Sequence, residues 1–150
     1  MNTYFTIALL VAAGIAVVVQ NVLMVRITET VSTVLITLVI NSSIGLALLL
    51  TTLLMRSGLN GILEAVSAVR PWAILPGLFG SFFVFAGIIG YQKVGAAATI
   101  AVIVASQLVA GLLFDTFKTA TLEAPRISVP SVLGVGFLVL GAVLIAHRRM

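Results

Sequence analysis

Residues 4–25 read YFTIALLVAAGIAVVVQNVLMV. No charged side chain interrupts the run, and at 1.5 Å per residue it is long enough to cross a hydrocarbon layer of about 30 Å. Four further runs of this kind follow, near 33–55, 72–92, 95–114 and 130–146. Across the 150 residues, 61% are hydrophobic, 8% are charged and the mean hydropathy is +1.30. A soluble domain of this length needs far more charge to cover its surface. The sequence therefore predicts an all-α integral membrane protein, one domain over 1–150 with five transmembrane helices. The first run has no Lys or Arg before it and is long for a signal-peptide core, so it is expected to remain as a helix.

The connecting segments are short. Residues 26–32 and 93–94 are the briefest. In 56–71, Leu59, Ile62, Leu63 and Val66 repeat at i, i+3, i+4 and i+7, which predicts a short helix lying in the interface, with an ordered apolar-lined loop as the alternative. Trp72 beside Pro71 reads as an interfacial anchor. Pro76 falls in the first turn of the third helix, where proline is best tolerated.

Several function classes are excluded by what is missing. There are no cysteines, hence no disulfides or thiolate metal sites. The single histidine, His147, stands beside Arg148 and Arg149 and reads as interfacial. No metal cluster, phosphate loop or nucleophile-base set occurs at membrane depth, so neither catalysis nor a metal or other cofactor is expected. The net charge of +4 is spread thinly, with no basic run suited to nucleic acid.

Loop charges normally orient a membrane protein, because cytoplasmic segments carry the Lys/Arg excess. With five spans, one face holds Arg56, Arg70, Lys118 and Arg126, and the other holds Arg26, Lys93, Arg148 and Arg149. The count is four against four. A chain without bias is expected to insert in both orientations and to pair as an antiparallel homodimer of ten helices, with its axis in the membrane plane. Inverted repeats about such an axis are how many secondary transporters place a substrate site near the bilayer midplane.

Polar side chains in hydrocarbon are costly and usually face a bundle interior or a wet cavity. Gln20 and Asn21 lie in the first span, Asn41, Ser42 and Ser43 in the second, and Ser106 and Gln107 in the fourth. Amides both donate and accept, which suits polar, zwitterionic or variable solutes, although each also serves as interhelical glue. Gln20, Asn21, Asn41, Ser106 and Gln107 are the candidate cavity residues. Asp115 lies near the end of the fourth span and reads as a structural or gating carboxylate. Glu29, Glu64 and Glu123 all fall in loops, so no carboxylate relay crosses the bilayer.

Small residues mark expected helix contacts. Ala97, Ala101 and Ala105 form one row; Ala101 and Ala105 project about 120° and 160° away from Gln107, on a separate side of the helix. Gly77, Gly80 and Gly87 share one face of the third helix within about 80°, and Gly134 and Gly141 are one heptad apart in the fifth.

The order Trp72, Pro76-Gly77, Gly80, then Gly95-Ala96-Ala97, Ser106-Gln107, Asp115-Thr116-Phe117, and finally Gly134, Gly141 and Leu144 resembles the bacterial YdcZ-like family, also known as domain of unknown function 606. The resemblance extends upstream to Asn21 and Gly45 and covers nearly the whole chain. The family pattern differs in having glycine where Ser106, Pro76 and Lys118 stand here. The resemblance implies a bacterial inner-membrane exporter within the drug/metabolite transporter superfamily. Members occur as single dual-topology chains, as oppositely oriented pairs or as fusions. The partner is thus a second copy or a related chain of opposite topology, together with lipid and a small-molecule substrate. Four-helix small multidrug-resistance proteins share the antiparallel logic but rely on a glutamate in their first helix; this first helix has only Gln20 and Asn21. A passive channel of the same architecture, or a non-transporting scaffold subunit, are the alternative functions.

Gln107 tests the reading of the fourth helix. Replacing it with Leu is expected to impair either solute transport in proteoliposomes or dimer assembly. A variant unchanged in both would remove Gln107 from the candidate site.

Overall fold

A computed structural model describes residues 2–119 and 129–147, and among these residues the chain forms five helices and no strand. Glu123, Pro125, Arg126, Arg148 and Arg149 lie outside the described residues, as do the side chains of Asp115 and Lys118. The helices are α1 (Thr3–Thr28), α2 (Val34–Ser67), α3 (Ile74–Lys93), α4 (Ala96–Thr119) and α5 (Val129–His147), with a single 3₁₀ turn at Pro71–Ala73 before α3. Four of them are apolar enough and long enough to span a bilayer, and the fifth is a shorter apolar helix. A membrane leaves no water to pair backbone N–H and C=O groups, so a spanning segment must close its hydrogen bonds within itself, as a helix does. This is a five-helix membrane protein, and its large apolar side chains are mostly on the outside, where lipid meets them; Leu10, Leu49, Phe79 and Phe82 are all exposed.

Contacts group the chain into two units, residues 1–89 and 90–150. In the first, α1 and α2 pack together across the connection 29–33. Arg26 lies in the last turn of α1, where a cation complements the carbonyl end of the helix dipole. Thr33 then caps α2: its hydroxyl accepts the Leu35 N–H at 3.1 Å, one of the orphan donors of the first turn.

The 34 residues of α2 would extend about 51 Å as a straight rod, well beyond the hydrocarbon thickness. The helix is instead broken at Gly58, with φ 60° and ψ −157°, a region that glycine alone occupies without strain. After the break the chain bends back. A Cβ placed on the buried Gly61 would lie 2.6 Å from Ser57 Cβ and 3.1 Å from Leu53 Cδ1. One glycine makes the bend and the other leaves room for it. Residues 59–67 are helical, as the spacing of Leu59, Ile62, Leu63 and Val66 predicts, and Leu59, Leu63 and Val66 are exposed.

The connection from α3 to α4 belongs to the second unit and is tight. The Gly90 carbonyl accepts from Val94 N–H at 2.8 Å and from Gly95 N–H at 3.2 Å, and Gly95 has φ 86°. This is a left-handed glycine cap. The turn brings Thr99, in the first turn of α4, so close to Gly90 that a Cβ on that glycine would sit 2.5 Å from Thr99 Cγ2 and 2.7 Å from Thr99 Oγ1. Thr99 is held there by donating its hydroxyl to the Gly95 carbonyl at 2.8 Å. In the same unit α4 and α5 pack along the row of Ala97, Ala101 and Ala105. The α4 helix runs through Asp115 to Thr119, past the expected end near 114, because a helical backbone satisfies itself equally well in the interface.

Two glycines carry the bends. Gly58→Ala is expected to destabilise the chain by about 1–3 kcal/mol, the usual cost of a side chain in a forbidden backbone region. Gly90→Ala is expected to cost a similar ~1–3 kcal/mol by overpacking, and Thr99→Ala in the same chain should recover most of that loss. Thermal unfolding in detergent, read by size-exclusion recovery, checks both.

Candidate functional site

The polar side chains of the spans fall into two groups. Several hydroxyls bond to their own helix. Thr51 and Thr52 donate to the Ala47 and Leu48 carbonyls, each at 2.8 Å, and Ser106 donates to Ile103 O at 2.8 Å. These groups are spent where they stand. Amides are longer and reach further.

In the first unit, Gln20 of α1 and Asn41 of α2 meet. Gln20 Nε2 donates to Asn41 Oδ1 at 2.9 Å, across the two antiparallel helices. The pair lies on the wall of an open-sided groove of about 490 Å³ between α1 and α2. Ala16, Val19, Leu23 and Met24 form one bank; Ile40 and Ile44 form the other. Gln20 is exposed and Asn41 half-buried. Among the described residues, no titratable side chain lines this groove.

Asn21 takes a different position from its neighbour. It is only 7% exposed, donates from Nδ2 to the Val17 carbonyl at 3.0 Å and faces α3. A Cβ on Gly87 would lie 3.3 Å from Asn21 Oδ1, so the glycine lets the α3 backbone approach the amide. Consecutive helical residues point about 100° apart, which is why one amide reaches the groove and the next packs inward. Thr37, not singled out from the sequence, is fully buried in α2, and its Oγ1 has no hydrogen-bond partner. It precedes Asn41 by one turn on the same helix face, and that i, i+4 relation is the only signal the sequence offers for it.

In the second unit, Ala97, Ala101 and Ala105 of α4 face Gly141, Ala142 and Phe137 of α5 along a groove of about 330 Å³ with no side-chain hydrogen-bonding group in its wall. Ser106 borders a shallower recess with Val109, Leu113 and Val139. Gln107 is exposed on α4 and makes no side-chain hydrogen bond to the described residues. Asp115 is helical in its backbone. Gly77, Gly80 and Gly134 stand open: a Cβ on any of them meets no atom of the described residues within 4 Å. Trp72 is exposed in the 3₁₀ turn that leads into α3.

Of the five candidate cavity residues, then, the structure brings Gln20 and Asn41 into direct contact, packs Asn21 against Gly87, and leaves Ser106 and Gln107 on the outside of α4. The Gln20–Asn41 pair binds by hydrogen bonds alone. It has no group that gains or loses a proton near neutral pH.

Residues 5–144 match the family described as "Putative inner membrane exporter, YdcZ". Inner membrane protein YdcZ of Escherichia coli (strain K12) is 52% identical over 148 residues, covering 99% of each chain. No solved structure gives a significant match.

A double-mutant cycle measures the amide pair. Gln20→Leu and Asn41→Leu, singly and together, are expected to show a coupling of roughly 0.6–1.7 kcal/mol in unfolding from bicelles, the range for hydrogen bonds between membrane helices.

Proposed function

Because the chain belongs to the YdcZ family of inner membrane exporters, we propose that it carries small molecules across the membrane as an antiparallel pair of copies. The Gln20–Asn41 pair is the observation that carries this reading. Two amides from different helices meet within the hydrocarbon, on the open side of a groove and away from the packed interior. A purely structural hydrogen bond is more stable when its remaining donors and acceptors are covered. An exposed pair suits a surface that binds and releases solutes.

The charges support the pairing. Arg26 and Lys93 close α1 and α3 at one side of the membrane, while Arg56 and Arg70 flank residues 57–69 at the other. Lys118, Arg126, Arg148 and Arg149 keep the balance at four against four. With no bias to read, either orientation inserts. Two copies of opposite orientation form a two-fold assembly about an axis in the membrane plane. Their grooves then face opposite sides in equivalent surroundings, the arrangement that alternating access uses.

Orientation is the test. The chain has no native cysteine, so Ser57→Cys, at an exposed position beside the Gly58 bend, gives a single label. A membrane-impermeant thiol reagent on intact cells is expected to label about half the protein, and lysis to expose the rest. All-or-none labelling would overturn the antiparallel homodimer and point to a second chain of opposite orientation. Saturable uptake with counterflow in proteoliposomes checks the transport step; conductance far above a carrier's turnover would replace the exporter by a channel.

A further inference from the structure

We propose that the α1–α2 groove binds an uncharged amphipath: an apolar body carrying a single amide-like head that both donates and accepts. The inference rests on the exporter reading for its purpose, since a transporter needs a substrate, while the groove's chemistry stands on its own.

The hydrogen-bond inventory comes first. A glutamine or asparagine amide carries two N–H donors and a carbonyl with two lone pairs. The bond from Gln20 Nε2 to Asn41 Oδ1 uses one donor and one lone pair. Neither side chain makes another hydrogen bond to the described residues. Gln20 Oε1, the second Gln20 N–H and the Asn41 NH₂ group therefore remain to be satisfied. Turning both amides over leaves a donor and an acceptor free on each side, so the complementarity does not depend on their orientation. A head with one donor and one acceptor answers both.

Depth makes those unmade bonds matter. Gln20 lies six residues before Arg26, about 9 Å along the helix axis from the nearest charged end. Hydrocarbon at this level offers no hydrogen bonds, so the free amide groups favour a ligand that supplies them.

The walls decide the rest. Val19, Leu23, Ile40 and Ile44 are apolar, and the groove's volume of about 490 Å³ suits a small organic molecule. Among the described residues, no Lys, Arg, His, Asp or Glu lines it. An ammonium or carboxylate head would enter with its desolvation uncompensated, a cost that neutral heads avoid. The groove between α4 and α5 has equally apolar walls but no side-chain donor or acceptor to fix a head group.

The experiment uses three probes that share one body and differ in their heads: phenylpropanamide, phenylpropylammonium and phenylpropanoate. Binding of each to the full chain in lipid nanodiscs is measured at neutral pH, with empty nanodiscs subtracted. The amide is expected to bind at least about tenfold more tightly than either ion, and Gln20→Leu or Asn41→Leu to erase that preference. Gln20→Glu, nearly the same shape, is expected to shift the preference toward the ammonium by about tenfold, which separates a binding role from a folding defect. Equal or tighter binding of an ion to the unaltered chain overturns the proposal. So does a preference for the amide that survives both leucine variants, or failure of all three probes to bind, the result expected if a second copy covers the groove. Proteoliposome transport of the same probes separates the two readings. An amide that binds but is not carried leaves the groove assignment standing and sinks the exporter. An amide carried equally well by the Gln20→Leu and Asn41→Leu variants does the reverse.

Discussion

Hydrocarbon gives no hydrogen bonds, and the rest of this structure follows from that constraint. The backbone answers it by forming helices throughout the spans. Several hydroxyls answer it by turning back: Thr51, Thr52 and Ser106 each donate to a carbonyl of their own helix. The amides have more groups to satisfy and longer reach. Asn21 spends one donor on Val17 O and buries the rest against Gly87. Gln20 reaches a second helix, and its bond to Asn41 links α1 to α2 at membrane depth. The same physics thus produces a packing residue and a groove residue at consecutive positions. The difference between them is a rotation of about 100°.

Glycine then sets how closely the helices approach. Gly87 admits an asparagine, Gly90 admits a threonine and Gly61 admits the bend that Gly58 makes. Gly77 and Gly80 share the face of Gly87, yet a Cβ on either meets no atom of the described residues within 4 Å. Among the described residues this face is thus in contact at Gly87 and open at Gly77 and Gly80. Two inclined helices touch at a crossing point and diverge away from it, so a stripe of small residues is used only where the crossing falls.

The spans were legible in the sequence because hydropathy acts on whole segments. The run at 4–25 became Thr3–Thr28, and the run at 72–92 became a 3₁₀ turn followed by Ile74–Lys93. The break in α2 was partly legible: apolar spacing gives the short helix after residue 58, but only the backbone angles show that Gly58 makes the turn. The ends of α4 were less so, since nothing in Phe114 or Asp115 stops a helix. Of the candidate site, the residue types were legible and the partnerships were not. That Gln20 meets Asn41 depends on the crossing angle and on the length of the 29–33 connection, and neither has a periodicity to read. Thr37 escaped for a related reason: a threonine inside an apolar run looks the same whether it back-bonds, as Thr51 does, or is buried without a partner.

If two copies pair antiparallel as proposed, the lack of a titratable group among the described residues lining the groove bears on the direction of transport. Two identical copies related by an axis in the membrane plane present the same surfaces to both sides. Such an assembly has no built-in direction, because each step in one copy has its mirror in the other sense in its partner. If the groove also lacks a titratable group, proton binding within it cannot supply the asymmetry. A neutral solute would then move down its own gradient, and net export would follow from a higher concentration inside the cell. Intramembrane carboxylates elsewhere couple movement to protons at the cost of desolvating a charge. In the proposed carrier an amide pair would avoid that cost and forgo the coupling, so the side chains that make the groove inexpensive to open would also leave its direction to the solute.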